Sequence, residues 1–286
     1  MSINATVIGQ YEAQWGEGPV WHDGHLLYVD IEGMKIVDFD PATGSETIIE
    51  VGERVGVVVP RSSGGWVMGG DNGLALVDPK TGSRNPIADP EPDKKPDNRF
   101  NDGKCDPAGR FWAGTITTVK KTGDAALYML DANGELHLKF PNVTNSNGLA
   151  WSADATQFYY IDTPTRKVRV FDFDNATGEI SNERIAVDTG AIDASPDGMS
   201  IDVNGNLWIA FCRGSAVVCF DPRNGEELDR ILMPVSGVTS CAFGGQELDL
   251  LYITTGQFTG QPEAGAGRLY VAEPGVAGQP TVPYAG

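Results

Sequence analysis

Positive charge is scarce in this chain. Its 286 residues carry 21 Lys and Arg against 39 Asp and Glu, a formal net charge of −18. A field of that sign repels phosphate backbones and anionic lipid. Nucleic acid and membrane surfaces are therefore excluded as expected partners, and a divalent cation is the better expectation. Long apolar runs are missing too, so no membrane span is expected. The opening MSINATVIGQYE has neither a basic n-region nor an apolar h-region; without a signal peptide, a cytoplasmic location is expected. Cysteine is sparse: Cys105, Cys212, Cys219 and Cys241, with no C-x-x-C. In a chain without an export signal these are expected as reduced core residues. Only His22, His25 and His137 are available as imidazole bases, and no G-x-S-x-G elbow occurs. That argues against a Ser–His–Asp hydrolase. No G-x-G-x-x-G fingerprint follows a strand, and AGAGR (264–268) reads as a loop, which argues against a nicotinamide enzyme.

Glycine and turns are plentiful. The 36 Gly and 18 Pro are scattered along the chain, as many short strands require. A short strand ending in aromatic or apolar residues recurs: LLYVD (26–30), GWVMGG (65–70), RFWAGT (110–115), QFYYID (157–162), NLWIAF (206–211) and LLYIT (250–254). The anchors Tyr28, Val67, Trp112, Tyr159, Trp208 and Tyr252 lie 39 to 49 residues apart. Each copy is followed by a second strand and mostly by a turn such as DPATG (40–44), DPKTG (78–82) or DNATG (174–178). Although DFDNATG starts like a calcium loop, it lacks the closing Glu of an EF-hand and recurs in several copies, so these are read as hairpin turns. A 40–50-residue period of short strands predicts a six-bladed β-propeller occupying residues 1–286 as one domain. A pair of β-sandwiches accounts poorly for the six-fold period. Ring closure needs an extra strand, and ATVIGQYE (5–12) is expected to pair into the last blade.

Before each aromatic strand lies another short segment, and four of the six carry an acid or amide before glycine: Glu17-Gly18, Asp102-Gly103, Asn147-Gly148 and Asp197-Gly198. Such pairs are also common in plain turns. In a propeller, however, the first strand of every blade lines the axis. Glu17, Asn147 and Asp197 are then expected to meet at one end of the channel. Two carboxylates and an amide carbonyl suit a hard ion such as calcium, magnesium or manganese. Three ligands with vacancies also suit zinc or iron, and leave room for metal-assisted catalysis. The tryptophans Trp15, Trp21, Trp112, Trp151 and Trp208 are read as blade packing, although Trp15, preceding Glu17, has the alternative of lying at the site mouth.

On GEGPVW (16–21), NRFNDGKCDPAGRFWAGT (98–115), NSNGLAWSAD (145–154), FYYIDT (158–163), SPDGMSIDVNGNLWIA (195–210) and TSCAFGG (239–245), the chain resembles the SMP-30/gluconolactonase/regucalcin family of propeller lactonases. The resemblance implies one divalent ion held by Glu17, Asn147 and Asp197, substrate contacts from Arg99 and Asn101, and Asp197 as general base, with a metal-bound hydroxide as the alternative nucleophile. Asp102 is read as orienting a water or capping a turn. The implied activity is hydrolysis of a sugar (aldono-)lactone, of gluconolactone, xylonolactone or arabinolactone type, with no obligate protein partner evident. The alternative is a non-catalytic, regucalcin-like calcium-binding propeller. One stretch departs from the family: GTITTVKK (114–121) has no acid where the family presents a substrate-facing glutamate. Thr117, Thr118 and Lys120 are the candidates to replace it.

Overall fold

The computed structural model describes residues 3–119 and 121–286; Lys120 lies outside the described residues. Six small antiparallel sheets succeed one another along the chain. Their innermost strands are Gly16–His22, Val55–Pro60, Asn98–Cys105, Ser146–Trp151, Ser195–Ile201 and Val238–Gly244. Each touches the innermost strands of the blades on either side, and the last returns to the first. This is a closed six-bladed β-propeller. The aromatic repeat forms the second strand of every blade, as in Gln157–Asp162 and Leu207–Cys212. Those strands are buried almost throughout, because each blade is sandwiched between two others.

Closure differs in detail from the expected strand over 5–12. Thr6–Ile8 pairs antiparallel with Leu269–Ala272 as the outermost strand of blade six. Ile3–Asn4 pairs in parallel with Glu226–Leu232, giving blade five a fifth strand. The N-terminal segment thus stitches two blades, and Gly9, in the left-handed region at φ 69°, ends it. The C-terminal segment makes a second strap across blades two and three, where Tyr284 N donates to Pro60 O (2.8 Å) and Ala285 N to Gly109 O (2.9 Å).

The DPATG-type segments are hairpin turns. Asp40 Oδ1 accepts Ala42 N–H (2.8 Å) and Asp174 Oδ1 accepts Ala176 N–H (2.8 Å), the side-chain-to-backbone bonding that makes Asp a turn former. All four cysteines are free; Cys105, Cys219 and Cys241 are buried.

Two tryptophans stand at equivalent places in blades three and five. Trp112 and Trp208 are fully buried. The indole N–H of Trp112 donates to Asp106 Oδ2 (2.9 Å) and that of Trp208 to Asp202 Oδ2 (3.1 Å). Asp106, wholly buried, also takes Arg110 Nε at 2.6 Å. A buried cation stripped of its partner costs about 3–5 kcal/mol. Asp106→Ala is therefore expected to lower the unfolding free energy by about that amount, measured by urea titration.

Candidate active site

The pairing register slips by a residue within every innermost strand. The slips fall between Glu17 and Val20, Val55 and Val57, Phe100 and Gly103, Asn147 and Leu149, Pro196 and Met199, and Val238 and Ser240. The acid–Gly and amide–Gly pairs are therefore β-bulges within strands, not turns. A bulge re-aims one side chain out of the pleat, and here the same phase repeats around the ring. Only Gly18 of the four glycines adopts a left-handed backbone, at φ 54°. Gly148 is required for a different reason: a Cβ there would sit 2.8 Å from Met199 Cβ and 2.9 Å from Asp197 O. The glycine lets the blades close in, and the residue before it faces the axis.

These side chains converge on one cavity of ≈ 590 Å³ at one end of the channel. Glu17, Asn147 and Asp197 line it, together with Arg99 and Asn101. Glu17, Asn147 and Asp197 are 3%, 2% and 8% exposed. The structure thus brings five of the six sequence-predicted residues to one place. The sixth, Asp102, lies deeper along the axis in a small space shared with Gly18, Lys104, Met199 and Ser240.

The hydrogen bonds fix how these groups present themselves. Glu17 Oε2 accepts the N–H of Gly18 (2.8 Å), and Asp102 Oδ1 accepts that of Gly103 (2.7 Å). Asn147 Nδ2 donates to Thr163 Oγ1 (2.8 Å), and the Thr163 hydroxyl donates onward to Pro196 O (2.9 Å). With its proton so committed, Thr163 accepts from the amide nitrogen, which turns Asn147 Oδ1 toward the cavity. Asn101 bridges the floor: its Oδ1 accepts from Arg99 Nη1 (2.9 Å), and its Nδ2 reaches Ser146 O (2.8 Å) and Asn147 Oδ1 (3.2 Å). Its amide is thereby engaged with protein partners. Arg99 Nε is buried and finds no partner.

Three buried carboxylates in one neighbourhood disfavour one another's ionisation. Burial pushes Glu17 well above the usual carboxylate range, and the charges of Asp197 and Asp102 add to this. Burial and then Asp102 do the same to Asp197. Burial lifts Asp102 to about 6, against the opposing pull of Lys104. Burial, with Arg54 nearby, lowers Arg99 to about 10, which leaves it cationic at neutral pH. Carboxylate oxygens of Glu17 and Asp197 lining one cavity with an inward-turned amide carbonyl are a donor set that fits a divalent ion.

Several lining residues are of types that do not mark them in the sequence. Cys212, Ile116 and Phe258 all face the cavity. Burial and the charges of Asp197 and Glu17 push the Cys212 thiol far up, so it is no thiolate nucleophile at neutral pH. Trp15 lines the cavity and also packs against the core cluster that includes Val20, Val29 and Met68, so both of its readings have support. Thr163 was within reach of sequence reasoning, since it closes the FYYIDT segment. No histidine lines the cavity. His137 instead groups with Asp131 and Glu135 on the outside of blade three, where Asp131 Oδ1 is spent on the N–H groups of Asn133 and Glu135.

Residues 15–257 match the family model described as SMP-30/Gluconolactonase/LRE-like region. The chain is 40% identical to regucalcin of Danio rerio, over 100% of this chain and 99% of that one. It is 38% identical to a Bacillus subtilis (strain 168) protein bearing the provisional name sugar lactone lactonase YvrE, over 99% of each. Among solved structures it is similar to a luciferin-regenerating enzyme, with TM-score 0.91 and 30% identity, covering 99% of this chain and 100% of that one. No described helix is long and apolar enough to cross a membrane.

Proposed function

This chain belongs to the SMP-30/gluconolactonase/LRE-like family, and from that premise we propose that it is a metal-dependent lactonase that opens a sugar lactone to its aldonic acid. The observation that carries this reading is the buried oxygen set of Glu17, Asn147 and Asp197 at the floor of a cavity that also holds Arg99. Those three residues would hold the divalent ion. When bound, the ion supplies a Lewis acid for the lactone carbonyl and its developing negative charge.

The remaining work falls to the chain. Asp197 takes the proton from the attacking water. A carboxylate beside a cation is a weak base, but a lactone is an activated ester and asks little of it. Arg99 offers N–H donors to the substrate, with Asn101 fixing its orientation from behind. Asp102 sits beneath the floor and contributes charge rather than contact. A cation among these carboxylates returns them to the ionised form.

The test is acid release from gluconolactone, xylonolactone and arabinolactone, with and without chelator, and with calcium, zinc, manganese, magnesium and iron added back. A chelator-sensitive rate above the spontaneous one supports the proposal. Its absence for every lactone and ion favours a non-catalytic, calcium-binding propeller. A second check uses the buried amide. Thr163→Val removes the acceptor that holds Asn147 Nδ2, and loss of such a supporting bond lowers metal affinity about 10–100-fold. That is the expected result by metal titration, with the folding transition little changed.

A further inference from the structure

The cavity carries one acid outside its floor, Glu32, whose charge reaches Arg99 and supports the cation there. From blade three the cavity wall takes Ile116 and, among the described residues, no carboxylate. The Thr118 hydroxyl donates to Asp97 O (2.8 Å), and the Thr117 hydroxyl is buried without a partner. Across the cavity, Glu32 lines the wall from blade one. It is exposed, unlike Glu17 and Asp197.

Glu32 is held by a rigid turn, not a slack loop. The turn joins His25–Asp30 to Lys35–Asp40. Asp30, almost fully buried, accepts Gly33 N–H (3.0 Å) from the turn itself. The same carboxylate accepts Trp15 N–H (2.9 Å), Gln14 N–H (2.9 Å) and the Tyr11 hydroxyl (2.8 Å). Ile31 N also donates to Trp15 O (3.0 Å). One buried carboxylate therefore fixes both Glu32's turn and Trp15. The Trp15 ring in turn meets Phe258 edge to face, with centroids 5.3 Å apart. The Arg213 guanidinium lies over the Phe258 ring, 4.0 Å from its centroid, so the result is an aromatic wall backed by a cation, with a carboxylate beside it.

We propose that Glu32 reads the hydroxyl groups of the substrate while Trp15 and Phe258 take its C–H face, so that the pocket selects neutral polyhydroxy lactones over lactones bearing a phosphate or carboxylate. This rests on the lactonase reading above. A carboxylate accepts hydrogen bonds from hydroxyl groups, and such charge-assisted bonds are the stronger kind. Beside an anionic substituent it acts as the repulsive element that creates specificity. Aromatic walls with a few placed polar groups are the usual make-up of a small-molecule site.

The test compares the metal-loaded protein with Glu32→Ala and Glu32→Gln on a neutral aldonolactone and on the same lactone phosphorylated at its terminal hydroxyl. Glu32→Ala is expected to raise KM for the neutral lactone about tenfold, with kcat within about twofold. Glu32→Gln, which keeps an acceptor oxygen, recovers part of that loss. Both variants narrow the discrimination against the phosphorylated lactone. An active enzyme whose KM and discrimination are unmoved by both substitutions overturns this inference and leaves the lactonase reading standing. If the unmodified protein turns over no lactone, the lactonase reading fails by itself. Binding then decides the matter: quenching of Trp15 emission by added lactone, isolated by its absence in Trp15→Phe, must weaken in Glu32→Ala, and equal quenching overturns the assignment.

Discussion

Asp197→Ala is expected to cut chelator-sensitive lactone turnover by about 10³-fold or more, because one substitution removes both a proton acceptor and an ion ligand. One control, read by both turnover and metal retention, separates those roles. Asp197→Asn keeps the shape and one ligand oxygen but cannot take a proton. Metal retained with turnover lost assigns Asp197 as base; metal lost together with turnover assigns it as ligand first. Full activity of Asp197→Asn with metal still bound removes it from the proton transfer. Unfolding is a poor explanation for a dead variant here. Burial and then the charges of Asp197 and Asp102 push Glu17 up, and burial and then Asp102 do the same to Asp197. Deleting one charge from such a group relieves repulsion. The chelated Asp197→Ala protein is therefore expected to melt at or above the temperature of the chelated parent, by differential scanning calorimetry.

What the sequence made legible follows a physical division. The blade count was readable because each blade repeats the same need, an apolar second strand buried on both sides, and Trp112 and Trp208 mark it at matching phase. The floor was readable because the acid–Gly pair repeats at that same phase, although its local meaning was not. Glu17, Asn147 and Asp197 are presented by bulges, and a bulge is a property of two paired strands, not of a dipeptide. The walls were legible in phase but not in chemistry. Glu32, Ile116, Thr163 and Cys212 each lie four residues past the repeat anchors Tyr28, Trp112, Tyr159 and Trp208, so the end of the second strand meets the cavity in blade after blade. An acid, an aliphatic, a hydroxyl and a thiol at that phase share no residue type that marks it, and Phe258 falls outside it. Closure shows the same limit. ATVIGQYE alternates like a strand, but nothing in its pattern foretells that Ile3–Asn4 joins blade five while Thr6–Ile8 joins blade six.

The buried carboxylates also dictate an unusual pH response for the chelated protein. Raised folded-state values mean that the native state binds protons more tightly than the unfolded chain does. The stabilisation from Glu17, Asp102 and Asp197 is thus complete below their ordinary values of 4.5 and 3.8 and is lost as pH rises through the folded ones, about 6 for Asp102 and higher than usual for the other two. Surface carboxylates act in the opposite sense. Asp40, Asp78 and Asp174 are held low by turn hydroxyl and N–H groups, so their contribution fades only on acidification below the ordinary value of 3.8. The interval between those regimes isolates the buried cluster. Without metal, Tm is expected to rise on the order of 5 °C as pH falls from about 8 to about 5.5. A divalent ion competes with those protons for the same oxygens. Saturating calcium or manganese is therefore expected to raise Tm more at the higher pH than at the lower. A chelated protein whose Tm is flat or falls across that interval, with an equal ion-induced shift at both ends, would show that the three carboxylates do not share one electrostatic site.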